Sequence, residues 1–73
     1  MRKGLSEIDE QIILAMYDCG MHVQSVADKL HYAIGTIYYH IRQIHRITGL
    51  NPRGYYELCE LVEMVKKTGG NNG

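Results

Sequence analysis

The chain has 73 residues, of which 45% are hydrophobic and 22% charged, and its eight basic and eight acidic side chains give zero net charge. This composition excludes an intrinsically disordered chain, and the length limits it to one small domain with a lean core. No apolar run approaches the ~20 residues that cross a bilayer, and a secretory signal is lacking, so we expect a cytoplasmic protein without a membrane partner. Cys19 and Cys59 have no nearby cysteine, which argues against a disulfide framework and a cysteine zinc site.

The first predicted helix covers 7–19. Ser6 and Asp9 match a capping box, in which the serine hydroxyl accepts from a backbone N–H and the acid reaches back to the cap. Apolar residues then recur at steps of three and four, and Gly20 is placed to end the helix in a left-handed conformation. The apolar face consists of Ile8, Ile12, Ala15, Met16 and Cys19.

Two more helices are predicted in the middle of the chain. A short one over 24–30 has one apolar side, formed by Val23, Val26, Ala27 and Leu30. A longer one over 34–48 ends at Gly49 and has a narrow inward stripe of Ile34, Ile37, Ile41, Ile44 and either Thr48 or Ile47. β-branched residues are common in this segment and favour a strand, but apolar and polar residues do not alternate as they do in a strand. The three- and four-residue spacing therefore indicates a helix.

A fourth helix is predicted over 52–67. Asn51 is suited to an N-cap, and Pro52 to the first helical position, where its missing N–H costs nothing. Acidic residues come early in this helix and lysines late, as the helix dipole prefers. The sequence therefore predicts an all-α bundle of three to four helices as one domain over 1–68, followed by a flexible tail at 69–73.

Basic side chains are concentrated in the middle of the sequence. Residues 22–53 carry a net charge of +3 and all four histidines, and the remainder carries −3. The charge distribution therefore allows a polyanionic partner, although the net charge is zero.

A short helix, a tight connection and a longer polar helix form the pattern of a helix-turn-helix, whose second helix enters the major groove of DNA. At ~100° per residue, one face of 34–48 lies opposite the isoleucines. This face carries Gly35, Thr36, Tyr39, Arg42, Gln43 and Arg46. Arginine suits guanine or phosphate, glutamine suits adenine, and threonine suits a thymine methyl group. We therefore predict sequence-specific binding of double-stranded DNA, in transcription regulation, through these six residues.

The third helix and its end follow the motif T-I/V-x-Y-x-I/L-R-x-I and then T-G-L. The matching residues are Thr36, Ile37, Tyr39, Ile41, Arg42, Ile44, Thr48, Gly49 and Leu50. This motif resembles the C-terminal helix-turn-helix of PucR-type bacterial transcriptional regulators, from about Val23 to Leu61, and LuxR-type and sigma-factor domains share its weaker part. The resemblance implies a bacterial or phage regulator with Thr36, Tyr39, Arg42 and Arg46 at the DNA face.

Metal binding and catalysis are not favoured. His40 and His45 point ~140° apart on a helix, and no carboxylate or cysteine completes a metal site with them. A nucleophile with its base is lacking as well. We therefore predict no enzyme activity, no cofactor and no catalytic or metal-binding residue.

The alternative function is a protein-interaction or dimerisation module that uses the apolar face of the helix over 52–67. The residues for such a surface are Tyr55, Leu58, Val62 and Val65. A homodimer would place two recognition helices on half-sites about one DNA turn apart.

The histidines of 22–53 lead to a prediction about pH. Below about pH 6.5 histidines gain positive charge, so DNA affinity should rise on acidification at fixed salt. Titration of a labelled duplex between mildly acidic and neutral pH measures this change. An affinity that stays flat over this range would contradict the prediction.

Overall fold

The computed structural model describes residues 4–69, with side chains as far as 67. In this part of the chain all regular secondary structure is α-helix, joined by short turns. The helices are α1 (Glu7–Asp18), α2 (Val23–Leu30), α3 (Ile34–Thr48) and α4 (Tyr55–Gly69). The predicted all-α fold is therefore confirmed. Within residues 4–69 no helix has the length and apolar content that a membrane crossing requires.

Helix α1 forms the centre of the fold. It contacts α2, α3 and α4, whereas α4 contacts only α1 among the described helices. Ile12, Ala15 and Met16 are buried as the periodicity indicated, and Ile8 and Cys19 are half-buried. Ile13, which lies outside the predicted face, is fully buried as well. An apolar side chain is needed there because α1 has neighbouring helices on more than one side.

The first turn of α1 is held by the predicted capping box. The Asp9 backbone N–H donates to Ser6 Oγ at 3.2 Å, and the Ser6 N–H donates to Asp9 Oδ2 at 3.1 Å. The other oxygen, Asp9 Oδ1, lies 2.8 Å from His40 Nδ1 on α3. Because a carboxylate only accepts, this histidine nitrogen carries the hydrogen. The side chain of Asp9 therefore ties the start of α1 to the middle of α3, and Asp9 is only 4% exposed.

Left-handed residues end the first three helices. After α1, Gly20 has φ 63°, and the Met21 N–H donates to the Met16 carbonyl at 2.7 Å, as in a Schellman motif. Helix α3 ends at Gly49 with φ 77°. Helix α2 ends at His31, whose φ of 62° costs a non-glycine residue roughly 1–2 kcal/mol. His31 begins the tight turn over 31–33 that joins α2 to α3.

Helix α4 begins at Tyr55, later than the predicted start at 52. Asn51 does not cap the helix, because its Oδ1 accepts from the Arg53 N–H at 2.9 Å, and its carbonyl accepts from the Gly54 N–H at 2.9 Å. These bonds form a turn over 51–54. The first helical bond of α4 runs from the Leu58 N–H to the Gly54 carbonyl at 2.7 Å.

Three of the four predicted dimerisation residues are buried in the fold. Leu58, Val62 and Val65 are 1%, 6% and 5% exposed because they pack into the core that α4 shares with α1, whereas Tyr55 is 57% exposed. Leu58, Val62 and Val65 therefore complete the chain's own core, and a role of the exposed Tyr55 in dimerisation stays a prediction. Gly69, predicted as the first tail residue, is the last residue of α4, and the rest of the predicted tail, 70–73, lies outside the described residues.

Replacement of Asp9 should destabilise the fold more than loss of the cap alone. We expect Ser6→Ala to lower the free energy of unfolding by about 1 kcal/mol, and Asp9→Ala by about 2–3 kcal/mol because the bond to His40 is lost as well. Urea unfolding followed by circular dichroism measures both changes. Glu7→Ala, which removes an exposed acid from the same helical turn, is the matched control and should cost less than about 1 kcal/mol. Equal costs for Ser6→Ala and Asp9→Ala would contradict a stabilising Asp9–His40 bond.

Candidate nucleic-acid interface

Three buried isoleucines orient α3. Ile37, Ile41 and Ile44 all belong to the core, so the opposite side of the helix faces solvent. Ile34, which the pattern also assigned to the inward stripe, is exposed. Of the two alternatives at the end of the stripe, Ile47 is exposed and Thr48 is half-buried. The most deeply buried part of α3 is therefore its middle.

The six predicted DNA-contacting residues lie on the outer side of α3 to different degrees. Four of them are exposed: Gly35, Tyr39, Arg42 and Arg46. Thr36 and Gln43 are half-buried. The structure brings Arg42, Gln43 and Arg46 together with His45 around one shallow depression, and the residues nearer the start of the helix lie outside it.

The outer face of α3 is basic and free of acidic side chains. Helix α3 contains no Asp or Glu. Within residues 4–69, neither Arg42 nor Arg46 forms an ion pair with a carboxylate. By contrast, Lys29 on α2 lies 3.8 Å from Asp18, and both of these side chains are exposed, so this pair contributes little to stability. The two α3 arginines therefore keep their full capacity to bind an anion.

A second group of residues, which the sequence analysis did not assign to the site, lies beside this face. Tyr38, His45 and Arg53, together called the Arg53 flank below, line another depression with Arg42 and Asn51. The guanidinium carbon of Arg53 lies 5.5 Å from the centre of the Tyr38 ring, within the range of a cation–π contact. Helical periodicity could have grouped Tyr38 with His45, but no local pattern shows that the turn over 51–54 brings Arg53 to them.

The four histidines are dispersed over the domain. His40 bonds to Asp9, His22 directly precedes α2, and His31 directly follows it. Only His45 lines the depression that contains Arg42 and Arg46. Among the described residues, no three His, Cys, Asp or Glu side chains are grouped closely enough to hold a metal ion. His45 is therefore the one histidine that lies beside the two arginines of α3.

Three exposed tyrosines form a separate aromatic surface on α1 and α4. They are Tyr17, Tyr55 and Tyr56. A hydrogen bond with Cys59 raises the pKa of Tyr55, and the charges that Cys59 and Tyr17 can carry act in the same direction. The Tyr55 hydroxyl therefore stays neutral at physiological pH and adds no charge to this surface.

Comparison with known proteins gives a family for this fold. A family model described as the PucR C-terminal helix-turn-helix domain matches residues 11–63, which is more than half of the chain. The matched segment includes all of α2 and α3 and the turn between them, so the resemblance found in the sequence is confirmed. No curated protein and no solved structure gave a significant match.

Proposed function

The chain belongs to the PucR C-terminal helix-turn-helix domain family, and from this premise we propose that it binds double-stranded DNA sequence-specifically. Membership of a helix-turn-helix family indicates a DNA-binding, regulatory role. In the finer proposal, the chain is a transcriptional regulator or the DNA-binding domain of one. Helix α3 lies in the major groove, and α2 crosses the backbone of the duplex.

The observation that carries this proposal is the pair of arginines on the outer face of α3. Arg42 and Arg46 are one helical turn apart, exposed, and without an acidic partner among the described residues. Their guanidinium groups suit phosphate or guanine, and each neutralised phosphate releases counterions from the duplex. If this helix face were only exposed to solvent and bound nothing, neither the two neighbouring arginines nor the lack of acidic residues would be needed.

The residues along α3 fall into two roles in this proposal. Thr36 and Tyr39 lie near the start of the helix, where recognition helices contact base edges. Arg42 and Arg46 lie farther along and bind the backbone, which fixes position and orientation without selecting a sequence. Gln43 lies between the arginines and suits an adenine.

Gly35 has two interpretations. A Cβ atom added at this position would meet nothing within 4 Å, so the chain itself does not need a glycine there. Glycine either permits close approach of α3 to DNA, or it is a weak helix former that the first turn tolerates. The two interpretations differ in what alanine would do to binding.

Loss of the two arginines should weaken DNA binding. We expect Arg42→Ala with Arg46→Ala to lower affinity for mixed-sequence duplex at low salt and to reduce the salt slope of log affinity by about 2. Fluorescence anisotropy between 50 and 200 mM salt measures both. Lys66→Ala with Lys67→Ala makes the same change in net charge on α4 and is the matched control. If the arginine variant bound as tightly as the wild type, the DNA-binding proposal would be wrong.

Gly35→Ala should change the stability of the domain and its DNA affinity in different ways. We expect Gly35→Ala to raise the free energy of unfolding by about 0.5 kcal/mol, because alanine is the better helix former. If glycine serves close approach, the same variant binds its preferred duplex several-fold more weakly despite the gain in stability. Thermal melting and binding isotherms of one preparation give both values, and undiminished affinity would support the tolerated-glycine interpretation.

A further inference from the structure

We propose that Arg53, held against Tyr38, binds a phosphate of the DNA backbone at the wall of the groove that α3 enters. The turn over 51–54 would then add a sequence-independent contact to those of α3. This inference rests on the proposed DNA-binding function and names a further residue for it.

The backbone around Arg53 is fixed by hydrogen bonds. The Arg53 N–H donates to Asn51 Oδ1 at 2.9 Å, and the Asn51 N–H donates to Glu57 Oε1 at 3.0 Å. A Cβ at Gly54 would lie only 2.9 Å from this same Glu57 oxygen. Glycine at that position therefore lets the Glu57 side chain close over the turn. Arg53 consequently projects from a short segment with little conformational freedom to lose on binding.

The guanidinium group of Arg53 is positioned and still able to bind an anion. Its contact with the Tyr38 ring, at 5.5 Å from the ring centre, restrains the side chain. No carboxylate within residues 4–69 forms an ion pair with it. A contact of this kind leaves the guanidinium N–H groups that point away from the ring available, and these match two oxygens of a phosphate.

The position of the Arg53 flank on α3 favours a contact with the DNA backbone over a contact with base edges. Tyr38 and His45 are seven residues apart and so share one side of α3, about 100° round the helix from Tyr39, a proposed base contact. When a helix lies in the major groove with one face toward the bases, a side turned by about 100° faces the phosphates of one strand. Arg42 lines both depressions, so the flank and the α3 arginines form one continuous basic surface.

The test compares Arg53→Ala with Lys66→Ala, which removes one positive charge from α4. Two duplexes are used: one selected from a random oligonucleotide pool with the wild-type chain, and one unrelated duplex of equal length. We expect Arg53→Ala to weaken binding of both duplexes by the same factor and to reduce the salt slope by about 0.9. The difference from wild type should therefore shrink about threefold between 50 and 200 mM salt. Arg53→Gln, which keeps most of the side-chain length, should show the same loss.

The contribution of Tyr38 is tested by a double-mutant cycle. Tyr38→Leu should weaken DNA binding when Arg53 is present and have no further effect in the Arg53→Ala background, whereas Tyr38→Phe, which keeps the ring, should bind like the wild type. Melting curves check that every variant is folded.

Several results would overturn the inference. An unchanged salt slope for Arg53→Ala and Arg53→Gln, with a reduced slope for the α3 arginine variant, would reject the Arg53 contact and leave the proposed function intact. Equal losses of DNA affinity for Arg53→Ala and Lys66→Ala would show that only the net charge of the domain matters and that Arg53 makes no specific contact. A loss confined to the selected duplex would assign Arg53 to a base. Absence of DNA binding by the wild type would reject both proposals, and the flank would then suit an acidic protein segment.

Discussion

The buried carboxylate of Asp9 joins two helices that are far apart in the sequence. Apolar packing by the α3 isoleucines decides which side of that helix faces inward, but such contacts have little directionality. The bond from His40 Nδ1 to Asp9, at 2.8 Å, is directional and lies where an unpaired polar group would be costly. Since the same carboxylate completes the cap of α1, one side chain stabilises both the start of that helix and the placement of α3.

Zero net charge and a basic surface coexist because all acidic side chains lie on α1, α2 and α4 and none on α3, and some of these acids are also bonded within the fold. Asp9 is bonded to Ser6 and His40, Glu57 accepts from Asn51, and Asp18 lies near Lys29. The arginines of α3 have no such partners among the described residues. Long-range attraction to a polyanion is therefore weak, and affinity has to come from well-placed short-range contacts.

Sequence patterns predicted the elements better than the contacts between them. Periodicity and caps located the four helices, and the outward position of Arg42 on α3 followed from the same period. The start of α4 was misplaced because asparagine before proline suits an N-cap and a turn equally well. Leu58 showed that α4 has an apolar face, but periodicity cannot tell whether the chain's own α1 or a partner covers it. The contact of Arg53 with Tyr38 depends on the path of a turn, and no local pattern records that path.

The restriction of α4 to contacts with α1 among the described helices has a mechanical consequence. A force on α4 reaches α3 by two routes, the shared α1 core and the hydrogen-bonded turn over 51–54. Both routes are short, since the turn has four residues and α1 contacts both helices directly. A torque applied to α4 would therefore reach α3 through α1 and through the turn at the same time.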